Sequence, residues 1–109
     1  MRTQATHLQS GKTIYTDAPV DNQGKGDAFS PTDLVATSLA SCMLTIMGIV
    51  ARRDGILLEG AVAEVEKIMV KDPRRIGEIK IKFIFKHTIE DKDRIKLERA
   101  ALTLSLIHI

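Results

Sequence analysis

Hydrophobic and polar positions mark out four kinds of stretch along the chain. The longest is Ser30 to Gly55, S-P-T-D-L-V-A-T-S-L-A-S-C-M-L-T-I-M-G-I-V-A-R-R-D-G, with no charged residue between Leu34 and Ala51. Its ends predict a helix. Ser30 suits the N-cap, Pro31 the first helical position, and Asp33 the reciprocal arm of a capping box. Arg52 and Arg53 complement the negative pole, and Gly55 suits a left-handed C-terminal cap. Such a helix is expected to be buried on nearly all sides. Thr37, Ser41, Thr45 and Gly48 form a narrow stripe of small residues along it.

The second pattern is strict alternation. Ile79, Ile81, Phe83 and Phe85 alternate with Lys80, Lys82, Ile84 and Lys86, which predicts a half-buried strand opened by Gly77. Residues 61–70 have strand composition with imperfect alternation, because Val62 shares parity with Glu64 and Glu66. With the turn at Asp72–Arg75, the two strands predict an antiparallel hairpin. The third pattern, from Asp91 to about Leu104, predicts a second helix whose charged start gives way to Ile95, Leu97, Ala100, Ala101 and Leu102. The fourth, Lys12–Thr16, is β-branched and aromatic and predicts a short strand after a Ser10-Gly11 turn. Residues 1–10 read as a strand entry or a frayed terminus.

Composition narrows the functional classes. A length of 109 residues allows one small domain. With three Phe, one Tyr and no Trp, the core must be built from Ile, Val, Leu, Met and Ala. The formal net charge is +2 with both signs interspersed, which argues against nucleic acid as a partner. Lys71-Asp72-Pro73-Arg74-Arg75, the densest basic run, reads as a solvated turn. The uncharged stretch reaches the length of a membrane span of about 17–25 residues. Its Ala, Ser and Thr content and its lack of an aromatic belt argue for a core helix instead. The N-terminus has no apolar signal segment, so a cytoplasmic, reducing setting is expected.

Candidate chemistry is sparse. Cys42 is the one cysteine, which excludes an internal disulfide and argues against a cysteine zinc site. No metal or cofactor is expected. The glycine loop at 24–26 precedes a helix start but fits neither the P-loop nor the dinucleotide spacing. His7, His87 and His108 are scattered, and His87 reads as exposed. Cys42 lies about three turns into its helix, beyond the reach of the N-terminal dipole. A reactive thiolate there needs a cation from elsewhere, and an inert, buried thiol is the alternative.

From Ile14 to Gly55 the chain resembles the OsmC/Ohr family of osmotically induced proteins and organic hydroperoxide reductases. T-D-A-P at 16–19, G-x-G at 24–26 and S-P-T-D-L-V-A-T-S-L-A-S-C at 30–42 carry the resemblance. G-x-x-A-E-V-E-K at 60–67, P-R-R at 73–75 and E-R-A-A-L-T at 98–103 extend it. It implies an α+β OsmC-like fold: a long buried central helix, a curved antiparallel sheet, a second C-terminal helix, and two chains intertwined as a homodimer. It also implies that Cys42 is a peroxidatic thiol oxidised by a hydroperoxide to a sulfenic acid, with an external thiol or dithiol as reductant.

The departures from the family pattern set further expectations. Leu104 stands where the family has its second cysteine, and Thr32 aligns with its helix-start glutamate, with Asp33 one step on as a stand-in. Lys12 lies near the place of an N-terminal arginine but matches it only loosely. Residues 1–109 read as one OsmC-like domain lacking its C-terminal strand or strands, with 104–109 as a non-native tail. Two functions follow. One is a thiol-dependent peroxidase acting on organic hydroperoxides or hydrogen peroxide. The other is a non-catalytic OsmC-like dimer, binding a small apolar ligand, with Cys42 as packing.

Overall fold

The structure, a computed structural model, describes residues 2–18 and 26–104, with the side chains of 103 and 104 left aside. Gly24 and Lys25 of the glycine loop, and His108 with the rest of the 105–109 tail, lie outside the described residues. Six elements follow in order: β1 Arg2–Thr6, β2 Thr13–Asp17, α1 Pro31–Asp54, β3 Val62–Val70, β4 Arg75–Ile84 and α2 Asp91–Leu104. The fold is α+β, as expected. The chain divides into two compact units, residues 1–35 and 36–109.

In the first unit β1 and β2 form an antiparallel hairpin, with Arg2 opposite Asp17 and Thr6 opposite Thr13. Its turn is built on His7. The imidazole Nδ1 accepts from the Ser10 amide at 3.3 Å and lies 2.7 Å from the Ser10 hydroxyl. The His7 N–H donates to the Lys12 carbonyl at 2.8 Å, and Gly11 takes a left-handed conformation with φ 74°. At the other end of the hairpin Thr16 and Asp17 are buried. Thr3 and Thr16 join their hydroxyls across the strands. The Asp17 N–H donates to the Phe29 carbonyl at 3.0 Å, which ties β2 to the segment leading into α1.

Both ends of α1 follow the sequence signals. The Asp33 N–H donates to Ser30 Oγ at 3.1 Å and the Ser30 N–H donates to Asp33 Oδ2 at 3.0 Å, a reciprocal capping box. Gly55 has φ 68°, and the Ile56 N–H donates to the Ala51 carbonyl at 2.8 Å, which is the Schellman bond.

The second unit has one core. Leu39, Met43, Met47, Val50 and Ala51 of α1 meet Ile89 and, from α2, Leu97 and Ala101. Ile79, Ile81, Phe83 and Phe85 close it from the sheet side. Met47 and Leu97 are fully buried, each contributing about 1.5–3 kcal/mol by leaving water. The outer face of the β3–β4 hairpin pairs Glu64 with Lys82 and Glu66 with Lys80, opposite charges in register. Val62 faces Ile84 on the same side, both exposed, which accounts for the imperfect alternation of β3.

Two expectations change. Gly77 does not open β4, which begins at Arg75; it lies inside the strand where the register shifts, with Ile68 opposite Glu78 and Met69 opposite Ile76. It is the extra residue of a β-bulge. An added Cβ there would come within 2.6 Å of Val70 Cγ1, so the close approach requires glycine. Nor is α1 buried on nearly all sides within one chain. Only the face carrying Ala36, Leu39, Ala40, Met43, Met47, Val50 and Ala51 is buried. Thr37, Ser38, Ser41, Thr45 and Ile49 are exposed, Ile49 by 64%. By length and composition α1 could cross a membrane. In this fold its buried face is part of a mixed helix–sheet core.

Candidate active site

Cys42 sits near the middle of α1, half-buried, between the core face and the open face. Helical spacing makes Ser38, Leu39, Thr45 and Ile46 its neighbours on the helix surface. The Thr45 hydroxyl donates to the Ser41 carbonyl at 2.8 Å, so it is satisfied within the helix. The open side of α1 is thus small, weakly polar and uncharged around the thiol.

Asp33, the other residue singled out, is engaged at the helix start through the capping box. Nine residues of α-helix are two and a half turns, so Asp33 and Cys42 stand about 13 Å apart along the axis on opposite sides. One chain therefore does not bring them together. Arg52, the next charge after the thiol, is ten residues on and exposed. The helix itself supplies no charge within two turns of the sulfur.

Asp17 was not singled out beyond its place in T-D-A-P. It accepts from Arg2 twice, Nε to Oδ1 at 2.8 Å and Nη2 to Oδ2 at 3.0 Å. The Arg2 hydrogen bonds hold its carboxyl below the ordinary range against the opposing effect of burial, with help from the Asp27 amide. A Thr-Asp pair ending a strand ahead of a glycine loop was the available signal, because such a carboxylate suits the binding of loop amides. Its role here is to assemble the first unit.

Other charged candidates are structural. Asp54 joins Arg53 at 3.1 Å and Lys96 at 3.0 Å, linking the end of α1 to α2. The Arg53 hydrogen bond, then that of Lys96, lowers its pKa to about 2. Arg75 Nη1 donates to the carbonyls of Lys71 and Pro73, so part of the basic run closes its own exposed turn. His87 is half-buried rather than exposed, beside the loop into α2. Among the described residues no three His, Cys, Asp or Glu side chains group as a metal site would need.

Comparison with known proteins adds a family. The family of OsmC-like proteins has a model that matches residues 24–106. The crystal structure of an osmotic-stress-induced and detoxification-response protein from Psychrobacter arcticus is similar at 59% identity and a TM-score of 0.90, over 94% of this chain and 74% of that one. An organic hydroperoxide resistance protein, OsmC, from Legionella pneumophila shares the fold at 18% identity and a TM-score of 0.69, over 99% of this chain and 86% of that one. So does an OsmC-like protein of unknown function from Vibrio cholerae, at 17% identity and a TM-score of 0.69, over 91% and 71%. Among curated proteins none matches the chain.

Proposed function

The chain belongs to the OsmC-like protein family, and from that premise we propose that it is a thiol-dependent peroxidase with Cys42 as its nucleophile. Organic hydroperoxides or hydrogen peroxide are the substrates. The observation that carries this reading is a half-buried thiol on an uncharged, partly open helix face in a chain 59% identical to a protein described as a detoxification-response protein.

The Cys42 thiolate attacks one oxygen of the peroxide. The S–O bond forms as the O–O bond breaks, and the alkoxide leaves as the alcohol after taking a proton. The resulting sulfenic acid condenses with an external thiol, releasing water and leaving a mixed disulfide. A second external thiol attacks the sulfur of the first, forming their disulfide and displacing Cys42, which leaves as thiolate and takes up a proton. An external dithiol supplies both reducing equivalents.

Cys42 needs a cation to hold it as thiolate, and its own helix has none nearby. A second copy of the chain is the proposed source. The exposed Thr37–Ser41–Thr45 stripe allows close backbone approach, and a homodimer across it would give the open face of α1 something to bury against. Asp33 would face the thiol only from that second copy. A cytoplasmic setting, where external thiols are abundant, fits the same reading.

The test is steady-state loss of cumene hydroperoxide with dithiothreitol as reductant. Wild type is expected to turn over and Cys42→Ser to fall to the uncatalysed rate. Equal rates would overturn the proposal. One observation favours the non-catalytic reading: a cleft of about 460 Å³ beside α1, where Leu44, Gly48 and Ala51 face Ile56 and Leu58. A small apolar ligand binding there, with no peroxide turnover, would be its signature.

A further inference from the structure

A second cleft lies away from Cys42 in sequence and has chemistry of its own. It measures about 600 Å³ and opens between the end of β4, the loop to α2 and the first turns of α2. That is within the range of small-molecule sites, about 300–1,000 Å³. Its floor is Ile81, Phe83, Phe85 and Ile89, continuous with the core. Its rim is polar and carries Lys86, His87, Thr88, Arg94 and Glu98. Two full cations thus face one carboxylate over an aromatic and aliphatic floor.

Among the described residues neither Lys86 nor Arg94 has an ion-pair partner, in contrast to Arg2, Arg53 and Lys96. The stem of Lys86 lies across Gly60, where an added Cβ would come within 2.7 Å of Lys86 Cδ. Glycine at position 60, with φ 84°, lets that stem pack close to the backbone. A long side chain seated in this way loses less freedom on gripping a ligand than one waving in solvent.

We propose that this cleft binds an organic anion with an apolar chain, specifically a medium-chain carboxylate. Its head would lie between Lys86 and Arg94 and its chain on Phe83, Phe85 and Ile89. The floor gives no reason for a bare inorganic anion to bind. The paired cations give no reason for a neutral alcohol to be preferred. The proposal stands independently of Cys42 chemistry.

The test is an NMR titration of the full chain, following the methyl signals of Ile81 and Ile89 with decanoate, decanol and inorganic phosphate in turn. Decanoate is expected to produce saturable shifts at these methyls, while phosphate and decanol produce weak ones or none. The Lys86→Gln/Arg94→Gln double variant should bind decanoate about tenfold more weakly, since each exposed charge contact is worth a few-fold. Lys82→Gln, on the opposite face of the sheet, should bind as wild type. Glutamine keeps the first carbons of the stem that packs on Gly60 and both charged ends are exposed, so the thermal midpoint of the double variant should change little. Equal binding of decanol and decanoate would overturn the proposal. So would matching shifts with phosphate alone, or undiminished binding by the folded double variant. Shifts that follow protein concentration rather than ligand would also overturn it and assign the cleft to a second copy.

Discussion

At the residue scale, two carboxylates set the expected response to acid. Asp17 is held below its ordinary value near 3.8 by Arg2, and Asp54 is lowered to about 2 by Arg53 and Lys96. A carboxylate whose folded pKa is depressed stabilises the fold above its unfolded value, and the effect is lost as pH falls through the folded value. The difference in melting temperature between wild type and Asp54→Asn should therefore be full near pH 6, shrink below about pH 4 and vanish near pH 2. Because Asp54 is partly exposed, added salt should also reduce that difference. The helix cap gives a second prediction. Ser30→Ala removes the acceptor for the Asp33 amide and should cost about 1 kcal/mol in urea unfolding, with an unchanged m-value. The cap was legible in S-P-T-D because each of its bonds is local. The role of Asp17 was not, since Arg2 and Asp27 come to it from different parts of the chain.

At the element scale, both helices and the alternating strand were legible from period and punctuation. Gly77 was not placed correctly, because a glycine at a strand entrance and a glycine in a bulge look alike until the register is known. Gly77→Ala should force Val70 to move and cost roughly 1–3 kcal/mol, seen as a lower denaturation midpoint. Leu97→Ala should cost about 2–5 kcal/mol, because the side chain is fully buried against Met47 and its neighbours in the core. A loss well under 1 kcal/mol at Leu97 would mean that α2 is only loosely seated. The clefts were not readable at all. One depends on where the β4–α2 loop returns to the sheet and the other on how the 55–61 connection folds back on α1, which no local pattern encodes.

At the scale of the whole molecule, α1 poses the question that one chain leaves open. Its buried face is the core of residues 36–109, yet its Thr37–Ser41–Thr45 side is exposed and uncharged. The proposed homodimer predicts a concentration-dependent mass in light scattering that approaches two chains. It further predicts that Thr45→Glu, which puts a charge into that contact, shifts the mass toward one chain. A mass of one chain at all concentrations would remove the partner from the account of Cys42. The thiol itself was legible as the candidate nucleophile through family resemblance. The cation that would activate it was not, since it must come from outside the helix. The most direct measurement is intact-mass spectrometry of the folded protein treated with cumene hydroperoxide and dimedone. A single adduct on Cys42, absent from Cys42→Ser, is the predicted result. An unmodified Cys42 at millimolar peroxide would contradict the account.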